Sequence, residues 1–316
     1  MKPITRPRLS KSIALSMTFA GLLSFATSTN SLAAGSSAKS GGLATGAAVT
    51  SSLDGTGDIV GLVASYQSYR KDLVTIANGD VDNASVRAAH RRLASHDYKT
   101  LSRAWVAYNS AVAARTPAYN KEINKAAKKN KRLLASLDAS SDQVFNYRSS
   151  NAAAQSIVRN ISAETAQLTE MGSSFRKAAM DMQQSKTPRM AINQTTMSRF
   201  MDPTKGDNIV LAGAGAKQYR ATSLDEKSKP MMNQMLSLAA HMSVTEAKGG
   251  KYSAATATLV ENRKGERCLK WAKLNLAQCL AATRNTSEEA FCTGRHALSE
   301  VSDCWSYMAA PTGVAS

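Results

Sequence analysis

The sequence predicts an all-α fold: a helical bundle with one long helix, followed by a C-terminal disulfide-clasped helical hairpin. Three observations carry this. Apolar residues recur every three or four positions through 58–186 and again after Pro230, which is the helical period. Pro117, Pro188, Pro203, Pro230 and Pro311 fall between those stretches and never inside one, where proline would remove an amide donor and break the helix. All four cysteines, Cys268, Cys279, Cys292 and Cys304, lie in the last 49 residues.

Residues 1–34 read as a signal peptide. Lys2, Arg6, Arg8 and Lys11 precede an apolar run at 13–27, and Ser31, Leu32, Ala33 and Ala34 suit cleavage after Ala33 or Ala34. That run is shorter than the roughly 20 residues a membrane-spanning helix needs. No cysteine near the cleavage point offers a lipid attachment, and no later uncharged apolar run reaches spanning length. The mature chain is therefore expected in the periplasm or secreted, with no transmembrane anchor. Residues 35–57, rich in Gly, Ser, Ala and Thr, read as a flexible leader.

The bundle is expected over 58–186. Ile59, Leu62, Val63, Tyr66, Tyr69, Leu73 and Ile76 form a helical stripe that Asn78-Gly79 stops. A shorter helix spans 85–95. Asp97 can cap a third, with Leu101, Ala104, Trp105, Tyr108, Ala111 and Val112 along one face. Thr116-Pro117 ends that helix and opens a fourth, whose apolar positions Tyr119, Ile123, Ala126, Ala127, Leu133, Leu134 and Leu137 continue unbroken to 137.

The strongest periodicity runs through Ala154, Val158, Ile161, Thr165, Leu168, Gly172, Phe175, Ala179 and Met182. It predicts a helix from about 141 to before Pro188, on the order of 60 Å long. Its small seam residues permit close packing and weaken the drive to a free-standing coiled coil. Residues 187–230 lose the pattern and read as an irregular linker. Met232, Met235, Leu236, Ala239 and Met242 then mark a short amphipathic helix over 231–250, closed by Gly249-Gly250. The cysteine hairpin and tail occupy 251–316.

Cys268 and Cys279 are 11 positions apart, close to three helical turns, so both point from one face about 16 Å apart along the axis. A disulfide needs Cα atoms within about 7 Å, so in a helix these two cannot bond each other. Thr286-Ser287-Glu288-Glu289 carries a capping-box pattern that starts a second, antiparallel helix. An antiparallel hairpin pairs Cys268 with Cys304 and Cys279 with Cys292. One misfit stands out: 12 positions separate Cys292 from Cys304, about 120° apart on an ideal helix. Either the helix loosens near Gly294, or Cys304 lies past its end.

This hairpin resembles the twin-cysteine hairpins of the coiled-coil-helix-coiled-coil-helix class, with the four cysteines in matching order. That class has nine residues between paired cysteines where this chain has ten and eleven, so the likeness is one of architecture. The segments 101–108 (LSRAWVAY) and 291–298 (FCTGRHAL) resemble parts of uncharacterised exported helical proteins of alphaproteobacteria. That resemblance implies an exported helical protein and brings no activity.

The first 33 residues carry four cations and no anion, so the +17 of the whole chain becomes +13 after cleavage. Such a charge favours acidic partners. It is concentrated in a basic surface of Lys121, Lys125, Lys128, Lys129, Lys131 and Arg132, with Arg87, Arg91, Arg92 and Arg103 upstream. Aromatics make up 6% of the chain and do not interleave with these cations, which argues against single-strand stacking and sequence-specific nucleic-acid reading. The expected partner is an anionic envelope polymer or an envelope protein.

No catalytic constellation is found. Ser174-Phe175-Arg176-Lys177 lacks the companion motifs of penicillin-binding enzymes. Gly213-Ala214-Gly215-Ala216-Lys217 and Gly55-Thr56-Gly57 lack the spacing of phosphate or dinucleotide loops, so no cofactor is expected. His90, His96, His241 and His296 show no zinc spacing, and no metal is expected. Met180, Met182, Met231, Met232, Met235 and Met242, with His241, offer soft ligands, though methionine at helical spacing is more often core filler. Glu164 and Glu170, six apart on the long helix, lie on different faces, which argues against a shared acid–base pair for cleaving glycans.

The expected function is an exported, non-enzymatic interaction protein whose basic surface meets an anionic envelope polymer or partner. Two alternatives are a cell-wall glycan hydrolase using a lone carboxylate, and a helical secretion-system or pilus-tip subunit.

Overall fold

The computed structural model describes residues 58–137, 142–184, 229–249, 252 and 255–309. The segments expected as signal peptide and leader, nearly all of the expected 187–230 linker and the glycine motifs at 55–57 and 213–217 lie outside these residues. Every described element is helical: α1 (Ile59–Ala77), α2 (Asn83–Ala94), α3 (Tyr98–Ala114), α4 (Pro117–Lys129), α5 (Leu133–Ser136) and a 3₁₀ turn (Asp142–Asn146) lead into α6 (Ser150–Gln183). After the linker come α7 (Lys229–Lys248), α8 (Ala255–Leu259), α9 (Arg263–Ala282), α10 (Thr286–Cys292), a π-helical segment (Thr293–Ser299) and α11 (Glu300–Ala309).

Local chemistry sets the early helix ends. Asp58, Asp82 and Asp97 each turn a carboxylate back to accept from a backbone N–H of the first turn, at Gly61, Ser85 and Thr100. Pro117 occupies the first turn of α4, where its missing amide costs nothing. Gly249 closes α7 in the left-handed region, at φ 59°, where a glycine carries no side-chain penalty.

Three helices differ from the sequence expectation. The fourth helix does not run on to Leu137. Asn130 leaves the helical region (φ −124°, ψ 101°) and its side-chain oxygen accepts from the Arg132 amide at 3.0 Å, a local bond that competes with helix continuation. The long helix begins at Ser150 and not near 141, giving 34 residues and a length of about 50 Å. Its start is fixed by Glu122, which accepts from the Arg148 and Ser149 amides and from the Ser149 hydroxyl. The third, α7, is not amphipathic, because every residue from Met232 to Val244 is buried. A helix buried all round is an interior helix. Among its polar side chains, Gln234 donates through Nε2 to the Leu259 and Glu261 carbonyls, at 2.8 and 2.7 Å.

The core is continuous from α1 to α11, so bundle and hairpin share one interior. Helix α3 sits in its middle, packed on α1, α6, α7 and α9. The Trp105 and Trp305 rings stack at 4.7 Å with 6° between planes, tying α3 to α11. Trp305 follows Cys304 directly, so the disulfide that fixes Cys304 also holds this aromatic contact in place.

Both disulfides join the hairpin in the nested order: Cys268–Cys304 and Cys279–Cys292, each with Cα atoms 5.7 Å apart. The 12-residue misfit is absorbed by the π-helical segment between the two cysteines. A π turn holds one residue more than an α turn. Twelve positions that include such an expansion therefore rotate about as far as 11 positions of α-helix, which is the Cys268–Cys279 spacing. Both cysteines of the second helical arm thus face their partners on the first. Cys304 lies within α11, so the adjustment occurs at the segment containing Gly294 and not by termination of the helix.

The same segment packs on α6 through two glycines. A Cβ at Gly172 would run into the Ser299 hydroxyl and lie 2.7 Å from the Gly294 carbonyl oxygen; one at Gly294 would lie 2.7 Å from the Gly172 carbonyl oxygen. The small seam residue of the long helix is therefore the point where hairpin and bundle backbones meet.

The hairpin's second helix is capped one residue earlier than the sequence pattern indicates. Asn285 is the cap, accepting from the Glu288 amide at 3.0 Å, while Glu288 reaches back to the Arg284 amide.

Candidate functional site

Tyr119 and Ile123 turn one face of α4 into the core. The Tyr119 hydroxyl donates to the Leu236 carbonyl at 2.7 Å, and Asn124 Nδ2 to the Ser243 carbonyl at 3.3 Å, docking α4 on α7. The opposite face carries Lys121, Lys125, Lys128 and Lys129, all exposed, and Lys131 and Arg132 are exposed in the turn that Asn130 creates. Lys121, Lys125 and Lys129 follow each other at four-residue steps and so share a face. Like charges at that spacing destabilise a helix by about 0.2–0.5 kcal/mol per pair. None of the six cations is in an ion pair among the described residues.

The only carboxylate within this stretch is turned away from it. Burial raises the Glu122 carboxyl, but the hydrogen bonds from the Ser149 side chain and from the Ser149 and Arg148 amides outweigh that and hold it below its ordinary value. Glu122 is thus an ionised acceptor that caps α6, leaving the lysines uncompensated.

The upstream arginines are placed differently. Arg87 pairs with Glu289 at 3.5 Å, Arg92 with Asp72 at 3.0 Å, and Arg103 with Glu261. Arg91 is exposed.

Glu164, one of the two glutamates of the long helix, is fully buried in the middle of the core. It accepts from the Tyr66 hydroxyl at 2.5 Å. Asn160, on the same helix, accepts from Arg70 at 3.2 Å and donates to Asn109 at 2.8 Å. Burial raises the Glu164 carboxyl, and the Arg70 charge and the Tyr66 hydrogen bond offset only part of this. Stability linked to its proton is therefore full below the ordinary value of 4.5 and is lost as pH rises through the raised value. With 0% exposure this carboxylate offers no contact to a polymeric glycan. Glu170 is half-buried on a different face.

The cysteines hold no free thiol. Met232, Met235 and Met242 pack into the core, Met231 and Met182 are half-buried at its edge, and Met180 is exposed. No group of three His, Cys, Asp or Glu side chains among the described residues is arranged to hold a metal ion.

Sequence spacing does not bring His90, His96 and His296 together, but the fold does. All three line one apolar pocket formed by α1, α2, α3, α9, α11 and the π segment. His96 Nε2 meets Asp72 at 2.9 Å and His296 Nδ1 meets Glu300 at 2.8 Å. The one available signal is the His296/Glu300 spacing, which puts both on one helical face. His241 lies apart, in the core, near the Leu137 carbonyl, and burial pushes it down towards the neutral form.

Two disulfides fit an oxidising compartment outside the cytoplasm. No helix among the described residues is long and apolar enough to cross a membrane. No known protein family, curated protein or solved structure matches this chain.

Proposed function

We propose that this chain is an exported, non-enzymatic interaction protein that docks on an anionic polymer of the cell envelope through α4 and the turn after it. The observation that carries this reading is the set of six exposed cations, at 121–132, with no carboxylate partner among the described residues. The fold accepts the repulsion between them while turning Glu122 inward. Lys121 and Lys129 are about 12 Å apart along the helix axis, a spread that suits an extended polyanion better than a point charge. Tyr119, the one aromatic side chain on α4, is buried, so the face has no stacking platform for bases. The compartment is the periplasm or the outside of the cell, which the N-terminal signal pattern and the disulfides favour.

The test is a binding titration against a soluble anionic polysaccharide, with heparin as probe. Each cation near an anionic surface contributes about 1 kcal/mol. Replacing Lys125, Lys128, Lys129 and Lys131 by Glu should therefore weaken binding by roughly a thousand-fold or more. Unchanged affinity in that variant would overturn the reading.

A further inference from the structure

We propose that the outer face of α9 docks on an anionic phospholipid surface, with Trp271 and Leu274 entering the headgroup layer and Arg263, Lys264, Arg267 and Lys270 meeting the phosphates. This goes beyond the polymer-binding reading and does not depend on it.

The apolar pair comes first. Trp271 is 67% exposed and Leu274, one turn on, 42%, whereas the other two tryptophans, Trp105 and Trp305, are fully buried. Neither residue of the pair is a core position left uncovered. α9 already turns Gly265, Leu269, Ala272 and Leu276 into the interior, and Cys268 and Cys279 fasten it to the second arm of the hairpin. Rolling Trp271 inward would withdraw those core residues and pull on both links, so the fold holds the indole in water.

The cations share that face. Arg263, Lys264, Arg267 and Lys270 are all exposed. At 3.6 residues per turn they fall, with Trp271 and Leu274, inside an arc of about 120°. Lys264, Arg267, Trp271, Leu274 and Gln278 follow one another at steps of three and four, so charge leads into apolar surface along one ridge. None of the four cations is in an ion pair among the described residues. Arg263 and Lys264 stand in the first turn of α9, the positive end of the helix dipole, where a cation is unfavourable. The nearby acids do not cancel them: Glu266 is half-buried to one side, Glu261 is bound to Arg103, and Asp303 on α11 is exposed without an ion pair. The ridge keeps a net positive charge.

This combination selects the occupant. The α4 cations have no large exposed apolar neighbour, which suits a polyanion. α9 adds an indole and a leucine, for which a charged polysaccharide offers no apolar phase. A second copy of the chain would set the cations against their own kind. A stable protein contact covers about 800 Å² on each partner, while this convex ridge presents two large apolar side chains. A membrane surface needs no more than that. Tryptophan favours the headgroup level, anionic lipids attract nearby lysine and arginine, and one helix face can enter the boundary layer without spanning it.

The experiment follows the fluorescence of the oxidised full chain on vesicles of phosphatidylglycerol and of phosphatidylcholine, with brominated lipid as a contact quencher. Trp271 is the exposed tryptophan, so adsorption through another part of the chain leaves its signal unchanged. On phosphatidylglycerol its emission should shift to the blue, brominated lipid should quench it, and acrylamide should lose access to it. On phosphatidylcholine none of the three should occur. Trp271→Phe should abolish the quenching. Replacing Arg267 and Lys270 together by Gln, both at exposed positions, should weaken the phosphatidylglycerol response by roughly thirtyfold. A Trp271 that stays open to acrylamide on saturating phosphatidylglycerol would overturn the proposal and leave the ridge to a protein partner. Equal quenching on both lipids, quenching that persists in Trp271→Phe, or an unchanged response in the Arg267 and Lys270 variant would overturn it too. The four-lysine variant of α4 should keep the Trp271 response, which separates failure of this face from failure of the polymer-binding one.

Discussion

Two basic stretches look alike in the sequence and differ in the fold. Of Arg87, Arg91, Arg92 and Arg103, three are tied to carboxylates on other elements. The six cations at 121–132 have no carboxylate partner among the described residues. The difference lies in the partners. Arg87 and Arg103 meet Glu289 and Glu261, contributed by the C-terminal part of the chain when it docks on the bundle. Glu122, the carboxylate nearest the lysines, is directed to the start of α6. Net charge therefore overstates the surface available to a polyanion: arginine charge is consumed in assembling the fold, and lysine charge at α4 remains for a partner.

If docking of the C-terminal part neutralises Arg87 and Arg103, opening it should narrow the contrast, with Arg92 still held by Asp72. The largest effect is expected from removing a disulfide. The Cys268–Cys304 link closes 36 residues and Cys279–Cys292 closes 13. On loop-closure entropy their loss should cost about 4 and about 3 kcal/mol of stability. Chemical denaturation of Cys268→Ala with Cys304→Ala, and of Cys279→Ala with Cys292→Ala, should show that order. The second pair also loosens α10, which carries Glu289, and should release Arg87. A smaller loss follows from Gly172→Ala. The new methyl must displace the Ser299 hydroxyl and the Gly294 backbone, at a cost of roughly 1–3 kcal/mol. Adding Ser299→Ala should recover only part of it, because the Gly294 carbonyl remains in the way. The smallest effect is expected from Asp72→Asn. It removes the partner of Arg92 and His96 at a partly exposed site and should lower stability by less than about 1 kcal/mol. Heparin affinity should rise slightly as Arg92 is freed.

Much of the fold is legible in the chain, and the reasons are local. The α1 stripe, the Asp97 cap and Pro117 all act within one or two turns. The cysteine pairing follows from the 11-position spacing of Cys268 and Cys279 together with the capping pattern that turns the chain back. What escapes the sequence is set by distant or compensating groups. The row Ala153, Ile157, Asn160, Glu164, Gln167 and Met171 is buried beside the apolar seam of α6, but three polar members hide it from a hydrophobic pattern. Asn160 and Glu164 are accepted in the core through partners on α1 and α3. The π segment is visible only as a 12-residue spacing that no straight helix satisfies. The basic residues could be found by counting, whereas their freedom could not, since it depends on where carboxylates up to 202 positions away come to rest. The histidine pocket is the extreme case, with walls from five helices and the π segment.

The account rests on the α4 cations, and not the α2 arginines, making the contact. It is tested most directly by the salt dependence of heparin binding in two variants: one with Gln at Lys125, Lys128, Lys129 and Lys131, the other with Gln at Arg87 and Arg92. Each cation that releases a counterion contributes roughly 0.7–0.9 to the slope of log K against log salt. The lysine variant should flatten that slope by about 3, and the arginine variant should leave it unchanged. Equal flattening in both, or a loss confined to the arginine variant, would contradict it.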